Sequence, residues 1–179
     1  MFSSLRNRFV VRLSRAAERW GKAESGASAM EFAMLSPVFI ALILGSIQAA
    51  VMFIAKSELD LATQAAAREV MTQQVTTAAQ LQSALCNNIG GIFNCSNLMI
   101  NMQSYSTLSS MQTGAPTLTY NADGTVSNSW TTNFGAAGSL MVMQVMYQFP
   151  VFGFGPLFSF ATQSNGTNLM ISTAVFVNE

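Results

Sequence analysis

Ser25-Gly26-Ala27-Ser28-Ala29-Met30-Glu31-Phe32 leads into FAMLSPVFIALILGSIQAAVMFIA, residues 32–55, a run of 24 residues without a charge. A helix rises 1.5 Å per residue, so this run reaches about 36 Å, enough to cross a hydrocarbon core of about 30 Å with some tilt. Glu31 stands at its entrance. Six of the eight cations, Arg6, Arg8, Arg12, Arg15, Arg19 and Lys22, precede it, and beyond the run only Lys56 and Arg68 are basic. The net charge of zero therefore conceals a basic arm followed by an almost uncharged remainder. Lysine and arginine flanking a span stay on the cytoplasmic side, which predicts an N-in, C-out orientation with everything from about Lys56 outside the membrane. A basic arm is also what a nucleic-acid tail looks like, but the span that follows directly favours membrane orientation. The rest of the chain is too poor in cations for a nucleic-acid footprint, so no nucleic-acid partner is expected.

The span has internal features. Ser36-Pro37 lies near its start, and proline removes an amide donor and crowds the carbonyl of Ala33, which predicts a kink or local opening. Ala41, Gly45 and Ala49 are small residues four apart, a spacing that lets a second helix approach closely. The leader places Arg8, Arg12, Arg15 and Arg19 at helical spacing, which leaves two readings open: an amphipathic helix at the headgroups, or a weakly ordered cytoplasmic arm. Its length and that of the apolar run exceed those of an ordinary secretory signal.

No glycine or proline occurs between Ser46 and Ile89. Residues 56–85 read as helix continuing outward, with Leu59, Ala62, Ala66, Val70, Val75, Ala78, Leu81 and Leu85 as an apolar stripe. Lys56 and Asp60, four apart, are placed to pair. An unbroken helix from Glu31 to Leu85 would be about 80 Å long, more than one small domain buries, so part of it is expected in the membrane or against other subunits. Residues 86–95, CNNIGGIFNC, form a loop rich in turn formers. Outside the cytoplasm its Cys86 and Cys95 read as a disulfide, with two free buried thiols as the other reading.

Beyond Ser96 the apolar period changes to two. Strands are expected over Leu98–Ser104, Leu140–Phe149 and Asn168–Asn178, and a hairpin from Thr117–Tyr120 and Thr125–Trp130 around Asn121-Ala122-Asp123-Gly124, whose glycine would take a positive φ. Met141, Met143, Val145, Tyr147 and Phe149 share one face. The region reads as an antiparallel sheet with one buried face and an outer face rich in Ser, Thr, Asn and Gln. PVFGFGPLFSF, residues 150–160, is either a buried loop or an exposed aromatic patch. The fold class is thus α+β: a long N-terminal transmembrane helix, then a small antiparallel sheet domain. The division is 1–26 leader, 27–85 helix with its span at about 32–55, and 86–179 the extracytoplasmic domain.

The chain has no histidine, so acid-base catalysis would fall to carboxylates, and no carboxylate pair is evident. No phosphate-cradling loop and no metal-ligand set appear; neither catalysis nor a cofactor is expected. Glu31 is the polar residue that asks for a role, since a carboxylate at the edge of a membrane helix is costly unless neutralised or paired. It is either a wet interfacial carboxylate without a role or one that awaits a cation. A cut between Gly26 and Ala27 would supply that cation, a new α-ammonium four residues before Glu31, in the same subunit or a neighbouring one.

Gly26, Glu31 and Phe32 at this spacing resemble the prepilin-peptidase site of tight-adherence (type IVc) pilins. The fuller string ESGASAMEFAMLSPVFIALILGSIQ, with AAARE at Ala65–Glu69, resembles the TadE-like family of pseudopilins. The resemblance is specific over residues 24–70 and loose over 98–179. It implies a pilin-like fold, processing between Gly26 and Ala27, a role for Glu31 in pairing with the new N-terminus, and a non-catalytic part in assembly, priming or capping of a tight-adherence pilus. The partners implied are other pilin or pseudopilin subunits met through the N-terminal helix, a prepilin peptidase, an inner-membrane pilus platform and the lipid bilayer. The implied location is the bacterial inner membrane with the C-terminal domain periplasmic, or the extracellular pilus. The competing expectation is an uncleaved single-pass envelope protein with an external binding domain.

Overall fold

Alanine, leucine and methionine recur throughout residues 24–71, and these side chains lose little freedom in a helix. In a computed structural model, which describes residues 24–111, 116–151 and 159–179, they form one helix, α1, Glu24–Met71. Most of the basic leader and the glycine-rich segment 152–158 lie outside the described residues. Pro37 sits inside α1 without dividing it. The chain separates into two units, one up to Leu44 and one from Gly45 to Glu179. In the first, the apolar side chains face outward: Phe32 is 73% exposed and Met34 77%.

In the second unit the stripe Ala55, Leu59, Ala62, Ala66 and Val70 is buried. Its steps of three and four put it on one helix face. Ala55, with Met52 packed beside it, shows that the end of the apolar run already belongs to the protein core. Thr63 is buried on the same side and satisfies its hydroxyl by donating to the Leu59 carbonyl, 2.7 Å away. Lys56 and Asp60 make the expected ion pair.

The expected continuation of the helix to Leu85 is interrupted. α1 ends at Met71, and a second helix, α2, runs Ala78–Asn88. Gln73 takes a positive φ of 55°. Gln74 N donates to Glu69 O (2.9 Å) and Gln73 N to Val70 O (3.0 Å), the bond pattern of a Schellman C-cap with Gln73 in the left-handed position usually held by glycine. Thr77 then opens α2 through a capping box with Gln80. Val75 and Leu81 are buried across the corner.

The sheet has three antiparallel strands in the order β1-β2-β3: Met99–Tyr105, Leu140–Pro150 and Thr167–Val177. Each lies within a residue or two of its expected position. Register pairs Met102 with Met143, and Met143 with Ala174. Pro150 is tolerated in the central strand because β1 has already ended opposite Met146, leaving no ladder partner for its missing N–H. The face carrying Met141, Met143, Val145, Tyr147 and Phe149 packs into the core with the α1 stripe.

Two expectations about the sheet region need correction. The outer face is not predominantly polar: Val142 and Met146 lie on it and are buried, 3% and 0% exposed. Strands on both sides of β2 stand about 4.8 Å away, so neighbouring side chains cover its outer residues. Gln144 is buried there too and accepts from Asn101 Nδ2 at 3.2 Å. The segments flanking Asn121–Gly124 do not form two strands; they meet in a single bridge, Tyr120 with Val126. Side chains take the ladder's place, with Thr119 N donating to Asn128 Oδ1 (2.7 Å) and Thr125 N to Asp123 Oδ1 (2.9 Å). Gly124 has the positive φ the turn requires, 80°. Beyond the turn, Met102 N donates to Thr131 O and Asn133 N to Met102 O, so Thr131–Asn133 bridges the outer edge of β1 at its middle.

Candidate processing and assembly segment

Gly26 and Ala27 lie in the opening turn of α1, a helical rather than an extended setting for the bond between them. The first amides of a helix have no intrahelical acceptor, so this turn is the easiest part to unwind. Gly26 is exposed, and a Cβ added there would meet nothing within 4 Å among the described residues. The fold therefore has room for a larger residue at position 26, which separates steric demands of a peptidase from those of the protein itself.

Glu31 is exposed on the same helix. Position 27 lies about one helical turn before Glu31. An ammonium created at Ala27 would sit within reach of the Glu31 carboxylate. The exposed helix that follows suits a low-dielectric surrounding: Ser28–Met71 contains a window of mean hydropathy 2.4, only 17% of which is buried. Among the described residues nothing stands within 4 Å of a Cβ added at Gly45. Among the described residues one helix is long and apolar enough to cross a membrane, which suggests a single-pass membrane protein.

The structure brings Cys86 and Cys95 together, with Cα atoms 5.7 Å apart. Cys86 is in the last turn of α2 and Cys95 begins a short 3-10 turn, Cys95–Asn97. The loop between them is held against the sheet by Phe93, whose ring meets Tyr147 edge-on at 4.9 Å and Phe149 at 6.0 Å. Asn94 N donates to the Tyr147 hydroxyl (3.2 Å). Gly90 lies over Glu58 so closely that a Cβ would stand 2.7 Å from Glu58 Oε2. The sequence marked Tyr147 only as one of an apolar face and did not mark Glu58, because nothing local identifies a residue whose partner is distant in the chain.

The carboxylates are scattered. Asp123, fully exposed in its turn, accepts from both the hydroxyl and the amide of Thr125, and these bonds hold its carboxyl below the usual carboxylate range. Among the described residues no three Cys, Asp or Glu converge as metal ligands would. The arrangement offers a helix to bury, a terminus to cut and a surface domain to present.

Residues 26–68 match the family model of the TadE-like proteins, in agreement with the resemblance carried by Gly26, Glu31 and the apolar span. No curated protein and no solved structure matches the chain. The family matched is a structural one associated with the tight-adherence pilus.

Proposed function

We propose, from the TadE-like match over residues 26–68, that this chain is a pseudopilin or minor pilin acting in assembly, priming or capping of a tight-adherence pilus. In this reading a prepilin peptidase cuts between Gly26 and Ala27 and removes the basic leader at the cytoplasmic face. Before assembly the helix crosses the inner membrane with residues 86–179 in the periplasm. Afterwards its exposed apolar side packs on the helices of other pilin or pseudopilin subunits at the membrane platform. Glu31 pairs with the new Ala27 ammonium of its own or a neighbouring subunit, which offsets the cost of a carboxylate in an apolar surrounding. The observation that carries the reading is that the family match opens at Gly26 and runs through Glu31 and the whole apolar run. The open space around Gly26 and the exposed helix beyond it support the same view.

Mass spectrometry of the N-terminus, with the chain produced alongside the peptidase, tests this directly. The expected N-terminal residue is Ala27. Gly26→Leu, which the fold has room for, should leave the uncut chain in the membrane. Glu31→Ala should preserve insertion, since it removes a charge that opposes burial, and should reduce assembly or cutting. Recovery of the chain with its leader still attached, peptidase present, would refute processing and return the reading to an uncleaved envelope protein.

A further inference from the structure

β3 is the last strand of the sheet, and β2 occupies one of its edges along its whole length. Three contacts fix which backbone groups face the other edge. Thr167 O accepts from Thr162 N (3.1 Å) and Gln163 N (3.0 Å), and Leu169 N donates to Thr162 Oγ1 (3.3 Å). On the opposite side, Asn178 N donates to Ser139 O, next to the start of β2. Backbone groups alternate along an antiparallel strand, so Ile171, Thr173, Val175 and Val177 turn their N–H and C=O away from β2. Among the described residues none of these four makes a hydrogen bond on that side.

Beyond Leu169, this edge is also unguarded among the described residues. Proteins usually blunt a free edge with a charge, a proline, a bulge or a covering segment. β1 has Thr131–Asn133 over its edge, whereas β3, TNLMISTAVFV, contains neither a charge nor a proline. Beside it runs a groove of about 380 Å³, lined by Gln64, Ala67, Arg68 and Met71 of α1 and by Thr173–Phe176 of β3. Arg68 is exposed, and among the described residues it has no ion pair, while Lys56 is taken by Asp60.

We propose that the β3 edge receives an extended, acid-bearing segment of a different polypeptide, which adds a strand to the sheet and sets a carboxylate against Arg68. Main-chain bonds to Ile171, Thr173 and Val175 give the attachment, and Arg68 selects the charge. A second copy of β3 does not meet this requirement. It has no carboxylate to offer, and two-fold pairing of the edges about Thr173–Phe176 brings two Arg68 side chains to one place, a like-charge contact. The inference is independent of leader processing, and its failure leaves the pilus reading untouched.

The test uses the full chain in detergent micelles and two peptides of alternating threonine and valine, one with a central aspartate and one with a central lysine. The aspartate peptide should slow amide exchange at Ile171, Thr173 and Val175 and bind about three- to tenfold more tightly than the lysine peptide, the range expected for an exposed charge reversed from attraction to repulsion. Arg68→Glu should invert that preference and Arg68→Gln should abolish it, both with protection of the β3 amides by peptide retained. Unchanged exchange on adding peptide would overturn the proposal, as would equal binding of the two peptides. Slow exchange already present in the peptide-free chain would overturn it by showing that the chain covers its own edge. Protection that grows with protein concentration alone would assign the edge to a second copy instead.

Discussion

At the scale of single residues, the informative groups are those whose surroundings are unusual for their type. Asp123 has its carboxylate tied to Thr125 twice over, so its folded pKa lies below that of the unfolded chain. A depressed carboxylate contributes its stabilisation above the unfolded value, 3.8 for this group, and loses it as pH falls through the lower folded value. An NMR titration should therefore show the Thr125 amide unchanged down to about that pH and shifting only below it, in step with the Asp123 carboxyl. A Thr125 amide that shifts well above that pH would contradict the bond. Cys86 and Cys95 are the second case. Their Cα separation of 5.7 Å is in the usual range for a bridge, and a periplasmic location would allow it to form. Thiol labelling of the denatured, unreduced protein should modify neither cysteine before reductant and both after it; labelling of both at the outset would remove the bridge and weaken the external placement of the domain.

At the scale of elements, the corner between α1 and α2 shows how a helix stops without glycine or proline. Reading residues 56–85 as continuous helix relied on the absence of breakers, yet Gln73 occupies the left-handed position. Its side chain donates to the Glu179 carbonyl, a partner far along the chain. The restart at Thr77, by contrast, was legible: Thr77-Ala78-Ala79-Gln80 has the spacing of a capping box. Thr77→Ala should leave the Ala78–Asn88 amides without their cap and cost about 1 kcal/mol, measured as a lower midpoint for thermal unfolding of the purified chain in micelles. Thr77→Asn should recover most of it. The strands were legible for a different reason. Met, Val, Tyr and Phe recur at every second position in residues 141–149, and a period of two fixes which face is inward. The burial of Val142 and Met146 was not, since it depends on β2 being the central strand.

At the scale of the whole molecule, the governing feature is the distribution of charge along the chain. Six cations fall within the first 22 residues and two beyond. By the positive-inside bias this distribution predicts an N-in, C-out orientation. A reporter active only in the periplasm, fused after Glu179, should be active in cells that make the full chain, and activity of a cytoplasm-only reporter at the same point would reverse the topology. Cleavage at Gly26 would leave the remainder acidic, with Lys56 paired internally and Arg68 as the available cation. This is why one arginine beside an open strand edge carries weight in a chain so short of charge.

The sequence by itself determined the long apolar helix, the α+β class, the three main strands, the inward face of the central one, and the segment Gly26–Glu31 that the TadE-like match also covers; it put Leu169, Ile171, Val175 and Val177 of β3 on the apolar face, whereas Met170, Ala174 and Phe176 turn to the core. Each of these rests on local quantities: the length of an apolar run, the sign of nearby charge, a period of two or of 3.6, a spacing of four. Only the tertiary structure decided where α1 ends, what bridges the edge of β1, that Ala55 lies in a protein core, and that Arg68 stands beside an unpaired strand edge. Those features depend on residues far apart in the chain, Gln73 with Glu179, Met102 with Thr131, Arg68 with Thr173. No local pattern encodes such pairs, because which backbone group lacks a partner is settled only when every strand has taken its neighbour.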